Sequence, residues 1–170
     1  MTTKTFNVLF LCTGNSARSV IAEGLLAVLG KGRFNSYSAG SQPAGKVQPM
    51  AADLVAKLGF DTSKLRSKSW DEFAAPDAPQ MDLIITVCDN AAGESCPFWP
   101  GQPATAHWGV ADPAAVEGDE DTRRHAYLEA FAVLRRRVEL LIALPVDKLD
   151  RLALQTHAQE IGTQGETASA

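Results

Sequence analysis

The chain has 170 residues, 45% of them hydrophobic, and carries 20 acidic against 16 basic side chains for a net charge of −4. That size suits one globular domain, and the charge argues against the broad basic surface that a nucleic-acid partner requires. No apolar run is long enough to span a bilayer and Met1–Thr5 lacks a signal-peptide core, so a cytoplasmic protein without a membrane partner is expected.

Asn7–Leu11 is a continuous apolar run, the pattern of a strand buried on both faces of a parallel sheet. It stops at Cys12. A small-residue loop leads to Arg18-Ser19 and a helical pattern that ends at Leu29, before Gly30. Arg33–Ala39 is a weaker strand pattern closed by Gly40. Gln48–Leu58 reads as an amphipathic helix with Pro49 at its start and Gly59 after it. Trp70–Phe73 suggests a short helix, and Ala74–Gln80 a loop. Leu83–Val87 is a second strongly apolar strand, lying between Asp82 and Cys88. Gly93–Pro103 is rich in Gly and Pro and reads as irregular. Glu120–Leu144 is helical in period and ends before Pro145. Val146–Glu160 allows one more helix, whereas Ile161–Ala170 has the composition of a disordered tail. The expected organisation is a domain over residues 1–145 with a partly disordered extension over 146–170. Alternating strands and helices predict an α/β fold, a doubly wound and mainly parallel sheet flanked by helices.

Cys12-Thr13-Gly14-Asn15-Ser16-Ala17-Arg18-Ser19 carries the chemistry. A cysteine at a strand end, five small residues, then arginine at a helix start can turn successive N–H groups inward, toward a tetrahedral oxyanion. Arg18 adds a planar bidentate clamp that lysine does not offer. The same positive field favours a Cys12 thiolate, lowering its pKa from ~8.5 toward roughly 3.5–7.5. The Ser19 hydroxyl is placed to donate to it. A buried structural cysteine and a surface arginine would show the same two residues, but their place between strand and helix, with Ser19 following, favours a nucleophile under a bound oxyanion.

Cys88 ends the second strong strand as Cys12 ends the first, and Cys96 follows eight positions later. Taken singly, they read as a small core residue and an idle loop thiol. Together, the three thiols cluster at the sheet end where such folds bind ligands, and an odd number of cysteines argues against a structural disulfide framework. The oxyanion centre over such a thiolate can be phosphorus, arsenic or a close analogue; where it is arsenic, its bond to the thiolate sulfur is open to attack by a second thiolate, which releases arsenite and leaves a disulfide. A third thiol can then take over that disulfide by exchange, provided Asp89–Ser95 moves to bring the cysteines together. Phosphorus is not reduced this way.

The loop Cys12–Ser19 resembles the anion loop of the low-molecular-weight protein tyrosine phosphatases and their arsenate-reductase relatives. Val87-Cys88-Asp89-Asn90-Ala91-Ala92-Gly93-Glu94-Ser95-Cys96-Pro97 and His107-Trp108-Gly109-Val110-Ala111-Asp112-Pro113 resemble the corresponding stretches of the reductases, so the likeness extends over about residues 7–145. It implies reduction of arsenate to arsenite, with Cys12 as nucleophile, Cys88 and Cys96 as successive resolving thiols, and Asp112 as the acid over the leaving oxygen. Thr13, Gly14, Asn15, Ser16, Ala17, Arg18 and Ser19 would bind the substrate. It also implies no bound cofactor and an external reductant, either thioredoxin or glutathione with glutaredoxin. The spacing from Cys88 to Cys96 is one residue longer than in the thioredoxin-linked relatives, and both donors stay open. The phosphatases carry an aromatic residue directly after the Asp-Pro pair; here Ala114 stands there, which favours reduction over hydrolysis of tyrosine phosphates.

Glu23 and Ser38, with Asn15, match positions that help hold potassium in some relatives. The aspartate that completes the set is missing, its nearest counterpart being Ser69 or Asp71, so no metal is expected. His107 and Trp108 are expected to orient the Asp112 loop, and His125 and His157 to sit on helices. Arg123, Arg124, Arg135, Arg136 and Arg137 interleave with acids as on a solvated helix face. A monomer is expected. The alternatives are a small tyrosine phosphatase using Cys12 and Asp112 alone, and a thiol-based anion sensor without turnover.

Overall fold

The structure, a computed structural model, describes residues 5–87 and 103–163. The strands are β1 (Phe6–Cys12), β2 (Phe34–Gly40), β3 (Leu83–Thr86) and β4 (Ala104–His107). All are parallel, and they form one sheet in the order β2-β1-β3-β4. The helices are α1 (Arg18–Leu29), α2 (Pro49–Lys57), α3 (Asp71–Ala74), α4 (Glu120–Ile142) and α5 (Arg151–Thr163). Among the described residues no helix is long and apolar enough to cross a membrane.

Both faces of β1 are covered, which is why Val8–Leu11 is apolar throughout rather than alternating. Val8, Phe10 and Cys12 pack with Ile21 and Leu25 of α1 and Leu134 and Val138 of α4. Leu9 and Leu11 face the other way, against Trp70, Phe73, Met81 and Ile84. Register aligns the carboxyl ends of the strands: Cys12 pairs with Gly40, Leu11 with Thr86, and Thr86 with His107. The residues at these ends therefore share one edge of the sheet, where parallel α/β folds bind ligands.

β4 is not written in the sequence as an apolar run. Ala104-Thr105-Ala106-His107 is weak in strand propensity, and pairing with β3 decides its conformation. Its two alanines turn inward and Thr105 outward. As the edge strand it would leave backbone groups unpaired, and α5 supplies partners for them. Gln155 Oε1 accepts the Thr105 N–H at 3.1 Å, and Gln159 Nε2 donates to the Thr105 carbonyl at 3.4 Å.

The helical conformation persists through Thr163, so Ile161–Thr163 corrects the expectation of disorder from Ile161 onward. The physical reason is packing. Ile161 and Gly162 are buried, and Trp108 Nε1 donates to the Ala158 carbonyl at 2.9 Å. Gly162 lies so close to β4 that a Cβ there would stand 2.1 Å from the His107 carbonyl oxygen. The Gly162→Ala variant is expected to lose about 1–3 kcal/mol of unfolding free energy, the usual cost of forcing extra atoms into packed space. Urea denaturation measures this, and an unchanged midpoint would show that α5 does not seat against β4 as described.

Candidate active site

β1 ends by delivering Cys12, 3% exposed, to the start of the loop that enters α1. The carbonyls of Cys12, Thr13, Gly14 and Ser16 accept N–H groups from Ser41, Gln42, Ala44 and Gln48, at 3.3, 2.9, 2.9 and 2.8 Å. The Ser67 hydroxyl also donates to the Gly14 carbonyl at 3.0 Å. In a planar trans peptide the C=O and N–H point opposite ways. Pinning these carbonyls outward therefore turns the N–H groups of Thr13, Gly14, Asn15 and Ala17 toward the inside of the loop. The Asn15 N–H demonstrates this, pointing at Cys12 Sγ from 3.2 Å.

Two residues permit this shape. Gly40 sits so close that a Cβ would come within 2.4 Å of the Thr13 carbonyl oxygen. Asn15 holds φ at 47°, a left-handed conformation that asparagine tolerates better than most side-chain-bearing residues. Helix α1 then begins at Arg18, with no acidic residue in its first turn to cancel its positive end.

Under the loop lies a connected set of buried polar groups. Ser19 Oγ is 2.9 Å from Cys12 Sγ. The Asn15 side-chain amide donates to Ser19 Oγ at 2.8 Å and to Ser38 Oγ at 3.0 Å, and its oxygen accepts the Lys68 backbone N–H at 2.9 Å. Ser38 donates to the Glu23 carboxylate in turn. Lys68 Nζ stands 3.9 Å from Glu23 Oε1 and donates to the Arg66 carbonyl at 3.0 Å. Burial pushes the Glu23 carboxyl above its ordinary range, and the Lys68 charge is the leading influence opposing this. Burial likewise lowers the Lys68 ammonium, with Glu23 the first influence opposing the fall.

Lys68 is the residue the sequence reading missed. Its position corrects the assignment of Ser69 or Asp71 as the nearest counterpart of the missing aspartate. Those two bond to each other at the start of α3, Asp71 N–H to Ser69 Oγ at 3.1 Å, while Lys68 reaches the carboxylate. A lone lysine in a loop gives no signal by itself. Glu23 on the inner side of an amphipathic helix was the available clue, because a buried carboxylate requires a partner.

Arg18 and Asp112 come together across the mouth of the loop. Arg18 Nη1 donates to the Val110 carbonyl at 3.1 Å, and Nη2 lies 3.5 Å from Asp112 Oδ2. The other carboxylate oxygen of Asp112 accepts the Ala114 N–H at 3.0 Å, fixing the turn at Pro113–Ala115. The segment leading to Asp112 is tied down along its length. His107 Nδ1 lies 2.7 Å from the Thr86 hydroxyl, the Val110 N–H donates to the Val87 carbonyl, and Arg137 Nη1 donates to the Gly109 carbonyl at 2.9 Å. Arg137 is 2% exposed, which corrects its assignment to the solvated helix face. It falls in the inward stripe of Ala130, Leu134, Val138 and Leu141, a placement readable from helical spacing. Arg124 and Arg135, by contrast, do form exposed pairs with Glu120 and Glu139. Thus Cys12, Arg18, Ser19 and Asp112 converge on one edge of the sheet; Cys88 and Cys96 lie outside the described residues.

The family model of the low molecular weight phosphotyrosine protein phosphatases matches residues 7–154. An arsenate reductase of Halalkalibacterium halodurans is 37% identical over 129 residues, which is 76% of this chain and 84% of the relative. One of Bacillus licheniformis is 39% identical over 116 residues, 68% of this chain and 80% of the relative. A solved structure described as an arsenate reductase in the phosphate binding state superposes with a TM-score of 0.62 at 30% identity, covering 82% of this chain and 98% of the other. The chain belongs to the low molecular weight phosphotyrosine protein phosphatase family, with arsenate reductases among its relatives.

Proposed function

We propose that this protein reduces arsenate to arsenite with Cys12 as the nucleophile. The observation that carries the reading is the position of Cys12 Sγ: it sits under inward-turned N–H groups, at the positive end of α1, with Arg18 and Asp112 at the same opening. Arsenate would be held by the N–H groups of the loop Thr13–Ser19 and by the Arg18 guanidinium. The Cys12 thiolate attacks arsenic, and an arsenate oxygen leaves as water, with Asp112 supplying a proton. Attack of the Cys88 thiolate on Cys12 Sγ then breaks the sulfur–arsenic bond. Its electron pair stays on arsenic, which leaves as arsenite, and a Cys12–Cys88 disulfide remains. Cys96 attacks Cys88 to free Cys12, and thioredoxin, or glutathione with glutaredoxin, reduces the Cys88–Cys96 disulfide.

Reduction is favoured over ester hydrolysis by two further points. The relatives from Halalkalibacterium halodurans and Bacillus licheniformis are arsenate reductases, and Ala114, exposed beside Asp112, offers no aromatic surface for a phosphotyrosine ring.

A single-turnover experiment tests the relay. Fully reduced protein mixed with excess arsenate and no external thiol is expected to release about one arsenite per chain, with peptide mapping finding a Cys88–Cys96 disulfide. Arsenite formed only after glutathione is added would replace the internal relay by a glutathionylated intermediate. Hydrolysis of an aryl phosphate without arsenite under either condition would overturn the reductase reading. Cys88→Ser is expected to abolish arsenite release while leaving residual aryl phosphate hydrolysis. Asp112→Asn is expected to slow the first turnover roughly 100-fold or more, in keeping with loss of a positioned acid, as rapid-quench measurement of arsenite would show.

A further inference from the structure

We propose that Lys68 is a positioning residue for the nucleophile: its ammonium keeps Glu23 a carboxylate, and that carboxylate sets the direction of a hydrogen-bond chain running through Ser38, Asn15 and Ser19 to Cys12. The inference deepens the proposed function, since it rests on Cys12 being the reacting thiol.

The direction follows from which groups have hydrogens to give. A carboxylate is acceptor-only, so the Ser38 hydroxyl, bonded to Glu23, spends its single hydrogen there. Ser38 Oγ then meets the Asn15 amide nitrogen as an acceptor, at 3.0 Å. The second hydrogen of that amide goes to Ser19 Oγ at 2.8 Å. Ser19 is thereby an acceptor toward Asn15, and its own hydrogen is directed to Cys12 Sγ, 2.9 Å away. The amide cannot turn over to reverse the chain, because its oxygen is held by the Lys68 backbone N–H at 2.9 Å. Lys68 thus acts at two points, with its backbone on Asn15 and its side chain on Glu23. With the Asn15 N–H also aimed at the sulfur, Cys12 receives two donors, the environment that favours a thiolate over a thiol.

Only a charged Glu23 enforces this direction. A protonated Glu23 could still accept from Ser38 through its carbonyl oxygen, but it could equally donate to Ser38, whose hydrogen would then point at the Asn15 amide hydrogens and break the contact. Glu23 and Lys68 are each 8% exposed, and burial alone favours the neutral acid. Among the described residues the charged groups around the carboxylate are Lys68, closest, and Arg66, whose own guanidinium is paired with Glu72 on the exposed side. Arg66 is therefore already engaged, and Lys68 is the cation that stands against Glu23.

The test is the pH dependence of Cys12 alkylation by iodoacetamide in the full-length reduced protein, resolved by peptide mapping so that each thiol is followed separately. Lys68→Met is expected to raise the alkylation midpoint of Cys12 by about one pH unit, a roughly tenfold loss of thiolate below the midpoint. Lys68→Arg, which keeps the charge, is expected to restore most of that shift. A purely structural lysine would change thermal stability and leave the midpoint in place, so an unmoved midpoint in folded Lys68→Met overturns the proposal. If Lys68→Met does not fold, Ser38→Ala decides: it cuts the chain without removing either charge, and the same rise is expected. An unchanged midpoint in that variant overturns the proposal equally. Because alkylation needs no arsenate, failure here is distinguishable from failure of the reductase reading.

Discussion

The site depends on where four carbonyl groups point. Backbone that curls around an anion must present its N–H groups on the concave side, and each peptide plane then sends a carbonyl outward, where it needs a donor. Here Ser41, Gln42, Ala44 and Gln48 provide those donors in succession, so the segment after β2 serves as an outer wall for the loop after β1. Gly40 is the hinge of that arrangement, since any side chain at its position would push the wall away. The parallel pairing of β1 with β2 brings the two segments side by side.

A second feature is the polarity of the ground beneath the loop. Most of the core consists of aliphatic and aromatic side chains, yet Asn15, Ser19, Glu23, Ser38 and Lys68 are buried together in one connected set. Such groups cost free energy unless they satisfy one another, and a partly satisfied network is worse than an apolar filling. Their presence beside Cys12 fixes rotamers and hydrogen directions there that apolar packing leaves undetermined.

The legibility of the sequence followed the range of each signal. β1, the loop behind it and the long helix α4 are written in contiguous residues, and the parallel α/β sheet was readable from their alternation. β4 was not readable, because two alanines and a threonine become a strand only through pairing with β3. Arg137 was misjudged on residue type although its helical position placed it inside. Lys68 carried no local pattern at all; its significance arises from a carboxylate on a different element. The convergence of Arg18 with Asp112 was suggested by family likeness and is visible physically only in three dimensions. Cys88 and Cys96 rest on the sequence pattern.

The contact between Arg18 and Asp112 has a thermodynamic side. The guanidinium that would clamp an oxyanion leans on the protein's own carboxylate and on the Val110 carbonyl. An arriving anion therefore competes with an internal mimic of itself, and binding is an exchange of partners. The exchange lowers net affinity, because one interaction is surrendered for another. In return the arginine is held beforehand by Val110 and Asp112 at the mouth of the loop, so less rotamer freedom would be lost on capture. Under the proposed function it would also tie two events together: a guanidinium turning to the substrate would release the Asp112 carboxylate as a leaving oxygen comes within its reach.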